Sequence, residues 1–548
     1  MKRKLFSLAI AVAMLLTLIP GVSLAAGPYD IANGNITVKV DEIGKQTVNG
    51  TEDDSPVITG TSTGNTVSIV VADGQTAKVT FKDLSITTAW NGSSENNPVV
   101  ITKSGTAGTG TAVITVEGTN TITHTHTAIK SEIGITIKGI GTLNANAVLD
   151  NASMYNSRSV TCIDVKKDLT IQESVIVNVN ASKKSETTTE NYAYSLVGVQ
   201  ASGITVENNA ALNIDADINS LPSGHNNLVS VTGINITFEL DYSTGELKSG
   251  GKVVIKDNAR VGLDVDADTT NTASDGVNNN IEIIAMKAWS IEVADKADVT
   301  AEISNKTSKA ASTSGMKLSE LIVGEYAQVE IISETNSSNS SQSSSANGVI
   351  GLSDEILPAN ATISDNASLS IKQTNSDNVA TTGLSLSSLN VSGEAIVEVE
   401  AEGKDAAAIK TNSYNKYGVA ATTEELEALK QGSVTIAPAP EPDPEPAPST
   451  AKSNVPGVSY ECGNTFKMET SKAPTAVLVD GVSVPFSADG KTLYVNVSGG
   501  NHWMTVEWMS TTYTFNFTCN DACQIVEVAI PKTGDMPIWA AIAAVFGF

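Results

Sequence analysis

Ile204-Thr205-Val206-Glu207-Asn208-Asn209-Ala210-Ala211-Leu212-Asn213-Ile214 is the stretch that decides the fold. Apolar residues alternate at 204 and 206, a three-residue polar corner follows, and alternation resumes at 210, 212 and 214. Period-two alternation marks a strand with one buried face, so the stretch reads as two short strands joined by a bend. The same spacing returns as Val253, Ile255, Ala259, Val261 and Leu263, and as Ile291, Val293, Ala297, Val299 and Ala301. It returns again at Leu321–Ile331, Ala361–Ile371 and Leu389–Val399, with earlier copies beginning at Leu169, Ile135 and Ile114. From Ile114 to Leu389 that is eight steps over 275 residues, about 34 residues per step.

A third short apolar segment lies between copies, such as Ser195–Val199, Val349–Leu352 and Thr382–Leu386. Three strands and three corners make one coil of a parallel β-helix. A coil cannot bury its inner face alone, so coils stack and the inner Val, Ile, Leu and Ala are expected to run as continuous apolar rows. Region 28–110 is less regular, but Ile36–Val40, Val67–Val71, Ala77–Ile86 and Val99–Ile101 continue the pattern. The fold class expected is all-β: a right-handed parallel β-helix, or solenoid, over 28–436, then a small β-sandwich-like domain. At about 4.8 Å per coil the rod would be roughly 50–65 Å long. An array of β-sandwiches is the competing architecture, but it needs hairpin turns at 8–12-residue spacing, and Asn-Gly and Asp-Gly pairs are few here.

The Ser-, Thr- and Asn-rich stretches Ala181–Ala193 and Glu334–Gly348 read as solvated loops at one corner. Thr422-Thr423-Glu424-Glu425 reads as a capping box opening a helix to Gln431, stopped by Gly432 and placed to cover the last strands. Residues 437–450 carry Pro at 438, 440, 442, 444, 446 and 448, a polyproline-type linker about 40 Å long. In 451–529 the aromatics concentrate, Trp503 and Trp508 are expected in the core, and Asp489-Gly490 marks a hairpin.

Of 548 residues, 60 are Asp or Glu and 34 Lys or Arg, for a net charge of −26. After residue 25 the arginines are Arg158 and Arg260, too few for a basic groove, which excludes nucleic acid as a partner. Residues 1–25 have the layout of a secretory signal: Lys2, Arg3 and Lys4, then Leu5–Ile19, then Ser23-Leu24-Ala25. Ile530-Pro531-Lys532-Thr533-Gly534-Asp535, followed by the apolar Met536–Phe548, resembles the sorting signals of Gram-positive surface proteins. That resemblance implies processing at Pro531, Thr533 and Gly534: a sortase thiolate attacks the Thr533–Gly534 carbonyl and passes the chain to peptidoglycan. Ile530 stands where Leu is usual, and the 13 apolar residues Met536–Phe548 are too few to span a membrane and have no basic end, so the signal reads as shortened.

Cys462, Cys519 and Cys523 lie in the small domain and are disulfide candidates, as 462–519 or 462–523; Cys162 stands alone. His124 and His126 sit as strand neighbours, a zinc or catalytic pair on one reading and hydrogen-bonded corner residues on the better one. Repeat alignment puts Asp215, Asp264 and Glu302 in one outward column flanked by Asn180, with Asp217 beside Asp266. Stacked like charges repel, and calcium held by oxygen ligands would relieve them. A solvated acidic face is the plainer alternative, and an extra coil in the 49-residue step from Ile204 to Val253 would break the column.

Tyr29-Asp30-Ile31 leading into Ile36–Val40, then Ala77–Ile86, and Thr127-Ala128-Ile129-Lys130 before Gly134–Leu143 carry a second likeness. Over roughly 28–436 the chain resembles secreted Firmicute proteins described as carbohydrate-binding, whose bodies are pectin-lyase-like β-helices. The resemblance implies a non-enzymatic partner for polysaccharide or host glycan, a monomer displayed in many copies on the cell wall. Trp90 and Trp289 are the candidates for stacking on sugar rings, and each reads equally well as a corner packing residue. A polysaccharide lyase or glycoside hydrolase on the same frame is a second reading, because acids are plentiful enough to form a catalytic pair. A structural stalk or protein-binding adhesin is a third.

Overall fold

The computed structural model describes residues 27–89, 96–149, 157–183, 193–218, 228–240, 247–270, 280–308, 310–338, 344–352 and 359–438, and, further on, 451–452, 458–461, 465–469, 474–489, 492–496, 500–508, 511–519 and 525–529. It is all-β, 69% strand and 3% helix. The chain divides into two units, Met1–Pro438 and Ala439–Phe548. The expected signal peptide, the Pro-rich linker beyond Pro438 and the sorting motif with Pro531, Thr533 and Gly534 lie outside the described residues.

In the first unit one mixed sheet joins 36 strands. Through the middle of the sheet most strands pair in parallel with the strand three places along the chain. Thr142–Leu149, for example, lies between Thr119–His124 and Ile176–Lys183. Parallel partners need a long crossover, and here two further strands supply it. The pairings sort into three ladders. The first contains Gly134–Gly139, Asp168–Ile171, Gly203–Val206 and Lys252–Ile255. The second contains Thr142–Leu149, Ile176–Lys183, Ala211–Ile218, Arg260–Thr269 and Asp298–Thr307. The third contains Ser157–Val165, Ala193–Ala201, Val229–Ile236 and Asn280–Lys287. Antiparallel pairing appears at both ends, where Ile36–Val40 meets Gln46–Val48 and Ile396–Glu402 meets Ser433–Ile436.

The repeat read from sequence is the register of the sheet. Ile204 pairs with Val253, Val206 with Ile255, Leu212 with Val261 and Ile214 with Leu263. No extra repeat enters the 49-residue step, since its two ends pair directly; part of the surplus forms a hairpin of Phe238–Leu240 with Leu247–Gly250. One offset differs from expectation, because Ile135 faces Ala112 and Ile114 faces Ile137. The corner alanines Ala210, Ala259, Ala297, Ala327 and Ala367 are buried. Before each stands a residue in the left-handed region: Asn208, Asp257, Asp295, Glu325 and Asp365, with φ between 59° and 63°. Asn and Asp tolerate this region best among residues with a side chain. Their stacking adds support, since Asp257 Oδ2 accepts from Asn208 N at 2.9 Å and Asp295 Oδ2 from Asp257 N at 3.0 Å.

Buried rows are not apolar throughout. One row of the second ladder runs Ala147, Ala181, Ala216, Val265, Ile303 and then Ser333 and Gln373. Its neighbour changes from Ala267 to Asn305, Thr335 and Asn375. These polar side chains satisfy one another in part: Asn305 Nδ2 and Thr335 Oγ1 both donate to Thr313 Oγ1, at 3.1 and 3.0 Å. Asn305 Oδ1, Ser333 Oγ and both polar atoms of Gln373 find no partner. For the same reason the expected loop Glu334–Gly348 is largely strand, within Gln328–Ser337 and Ser344–Gly351. Its alternate Ser and Thr residues face the buried polar cluster, so polar composition there does not mean solvation. The other expected loop begins in strand too, up to Lys183.

A column of small residues runs down the third ladder: Cys162, Gly198, Gly233, Ala285, Gly315, Gly348, Gly383 and Ala408 lie between register-matched neighbours. The second ladder approaches closely there. A Cβ on Gly348 would stand 2.5 Å from the Gly383 carbonyl oxygen and 2.5 Å from Ile371 Cγ2. At the C-terminal end the helix Thr423–Ala428 carries the full capping box between Thr422 and Glu425.

The second unit holds two five-stranded sheets with antiparallel pairing. Asp489 faces Thr492 across the expected hairpin. Val477, Val495, Met504 and Val506 are buried, whereas Trp503 is 44% exposed and so is not a core residue. It stands on the face of its strand opposite to that of Met504, which the period-two rule requires of adjacent residues.

Candidate functional site

The exposed face of the second ladder carries ordered rows of amide and carboxylate side chains. In-register parallel strands place equivalent positions side by side about 4.8 Å apart, so chemistry repeated in sequence becomes a row in space. One row is Asn144, Asn178, Asn213, Gly262, Thr300; the next is Asn146, Asn180, Asp215, Asp264, Glu302; the third includes Ser182, Asp217, Asp266, Ser304. The expected column of Asp215, Asp264 and Glu302 is therefore assembled, flanked by Asn180.

The asparagines form a chain of amides. Asn213 Nδ2 donates to Asn178 Oδ1 and Asn178 Nδ2 to Asn144 Oδ1, each at 2.9 Å. Beside them Asn180 Nδ2 donates to Asp215 Oδ2 at 3.1 Å. The amide chain stops at Gly262, which has no side chain to continue it. Between Asn213 and Thr300 this leaves a notch in an open groove of about 470 Å³, bordered by Asp215, Asp264 and Glu302. A Cβ at Gly262 would meet only Asn213 Oδ1, at 3.3 Å.

Crowded carboxylates shift one another. Burial, then Asp215, Asp266 and Asp264, push the Asp217 carboxyl up to about 6. Asp266 is also pushed up to about 6, by burial and Asp264, against the opposing pull of the Ser304 N–H and Lys306. Asp264 is raised by burial, Asp215 and Glu302. Sequence reading found these acids but not the amide chain or the notch. The signal was present in Asn144, Asn178 and Asn213, each two residues before an outward Asn or Asp.

The calcium reading fares differently. Among the described residues no group of three or more His, Cys, Asp or Glu side chains is arranged to hold a metal ion. Side chains at one register position project alongside one another, which makes a row of Asp215, Asp264 and Glu302 and not a converging cage.

His124 is fully buried, and its Nδ1 accepts from the backbone N–H of His126 at 3.0 Å and of Thr127 at 2.9 Å. Burial and the neighbouring His126 drive its pKa down to about 4, so it is a neutral corner residue. Arg158 is 3% exposed and hence withdrawn from any surface site. Lys183 lies with its Nζ 5.2 Å from the Tyr194 ring centroid. Arg260 faces Asp298 across the register. Trp289 is half-buried and packs edge-on against Phe238 at 5.9 Å, a packing role, and Trp90 lies outside the described residues. Cys162 is free and buried, its thiol pushed far up by burial. Cys462 and Cys523 lie outside the described residues, and Cys519 ends the strand Thr511–Cys519.

A second groove, of about 500 Å³, lies on the first ladder among Ser55, Lys78, Thr80, Thr115, Thr136 and Lys138. It lacks the amide and carboxylate rows. No family profile, curated protein or solved structure matches the chain.

Proposed function

We propose that this is a non-enzymatic glycan-binding protein displayed on a Gram-positive cell surface, and that a polysaccharide lies along the Asn–Asp groove. The three parallel ladders are read as the faces of a parallel β-helix. Residues 1–25 and Ile530–Asp535 support secretion and wall attachment through their resemblance to such signals. The carrying observation is the amide row ending at Gly262, beside the carboxylates. An asparagine amide offers a donor and an acceptor together, which suits neighbouring hydroxyls on a sugar. The rows repeat that offer at each strand, so a polymer gains many modest hydrogen bonds in place of one deep pocket. Display in many copies then raises avidity.

The test is a glycan array and titration with the secreted chain, comparing wild type with Gly262→Val and Asn213→Leu. Filling the notch is expected to weaken binding about tenfold or more. Unchanged affinity in both variants overturns the groove as the site. The raised carboxyls of Asp217 and Asp266 favour a second reading, a glycoside hydrolase, because an acid near 6 can donate a proton near neutral pH. Release of reducing ends, abolished in Asp217→Asn, would move the assignment there.

A further inference from the structure

The second unit exposes a tryptophan whose backbone is tied to a neighbouring turn. Asp480 and Gly481 form the turn between Ala476–Val479 and Val482–Ser483, with φ of 53° and 80°. Two positive values in succession are those of a tight hairpin turn. Asp480 anchors the adjacent strand: its Oδ1 accepts from Trp503 N at 2.9 Å, and its N donates to Trp503 O at 2.8 Å. Its Oδ2 lies 2.8 Å from His502 Nδ1. The indole edge rests over Gly481, where an added Cβ would come within 3.3 Å of Cζ2 and Cη2. Trp503 is 44% exposed, and the one other large exposed apolar side chain described in this unit is the neighbouring Val482.

From this arrangement we propose a second saccharide site, in which Trp503 is the stacking platform for a neutral hexopyranose ring and Asp480 and His502 meet its hydroxyls. The described patch points to a small ligand. A stable protein interface needs upwards of about 1,000 Å², and the two exposed apolar side chains among the described residues of this unit supply far less, whereas one indole face matches one ring. The polar pair at the edge of the indole argues the same way, since a purely apolar partner would leave Asp480 and His502 desolvated. Hydrogen bonds from His502 and the Trp503 N–H hold the Asp480 carboxyl below its ordinary value, so it remains an acceptor at neutral pH. The ligand class matches that proposed for the groove, but the site rests on different residues in the other unit.

The experiment titrates the full secreted chain with hexasaccharides of glucose, mannose, galactose and N-acetylglucosamine. Binding is followed by calorimetry and by the Trp503 indole N–H resonance. Wild type, Trp503→Ala, Trp503→Phe and Gly262→Val are compared. At least one sugar is expected to shift the Trp503 resonance, with affinity falling about tenfold or more in Trp503→Ala. Trp503→Phe, which keeps an aromatic face, should retain most of it, and Gly262→Val should leave this event untouched. If no sugar in the panel moves the Trp503 resonance, the proposal is overturned, whether or not the groove binds. If Trp503→Ala disrupts the unit, the resonance shift in wild type and the retention in Trp503→Phe decide alone. Loss confined to Gly262→Val supports the groove and refutes the platform.

Discussion

Gly348→Ala tests the closeness of the second and third ladders. The added methyl would stand 2.5 Å from the Gly383 carbonyl oxygen, 2.5 Å from Ile371 Cγ2 and 3.2 Å from Ile371 Cδ1. Ordinary contact lies at 3.4–4 Å, so backbone and side chain must each retreat by several tenths of an ångström or more. The carbonyl belongs to the neighbouring strand of a ladder fixed on both sides and cannot swing away. Forcing one methyl into a packed site costs about 1–3 kcal/mol. Lower unfolded-chain entropy returns about 0.4–1 kcal/mol, leaving a net loss of about 1–2 kcal/mol. Gly64→Ala is the control, because nothing lies within 4 Å of its added Cβ and its φ is not positive. It should be neutral or slightly stabilising. Urea titration reads the difference, and hydrogen exchange should place the loosening between Ser314 and Leu384, because stacked repeats respond locally. Coupling with Ile371→Ala, measured by a double-variant cycle, should recover about 1 kcal/mol. A Gly348→Ala protein as stable as Gly64→Ala would refute the close approach.

The crowded acids give a pH signature. Asp217 and Asp266 titrate near 6 in the folded chain against an ordinary 3.8, so protonation favours folding. Their contribution is complete below about pH 4 and is lost as the pH rises through 6. Both are only partly buried, so after screening the effect is about 1 kcal/mol each. Asp217→Asn should therefore stabilise at pH 7 and do nothing at pH 4, and an equal effect at both would contradict the cause. Gln373→Leu removes two buried polar atoms without partners and should leave stability unchanged or raise it by up to about 2 kcal/mol in urea titration. A clear loss would mean that those atoms are satisfied in solution. Thr422→Ala breaks the capping box and should cost the helix Thr423–Ala428 about 1 kcal/mol, seen as faster exchange at the Leu429 and Gln431 contacts. Unchanged exchange there would show that packing alone holds the helix.

Local pattern carried much of the fold. The alternation in Ile204–Ile214 and its copies specified strands, corners and register, because a side-chain period of two admits one choice of buried face. That register was enough to predict the row of Asp215, Asp264 and Glu302. The 49-residue step was ambiguous in sequence, since spacing cannot tell an inserted hairpin from an inserted repeat. The pairing of Ile204 with Val253 decided it. The polar run Glu334–Gly348 was misread because composition reports average polarity, whereas burial depends on which partners stand opposite. Thr313 and Thr335 belong to different ladders and meet through the packing. The notch at Gly262 has the same origin. A glycine in a strand means little until its register neighbours, Asn213 and Thr300, are known. Exposure of Trp503 likewise rests on which face of its sheet is covered, which the residues beside it in the chain do not decide. Short-range order was written in the alternation of side chains; contacts between ladders, and the rows they create, came from stacking distant segments in one register.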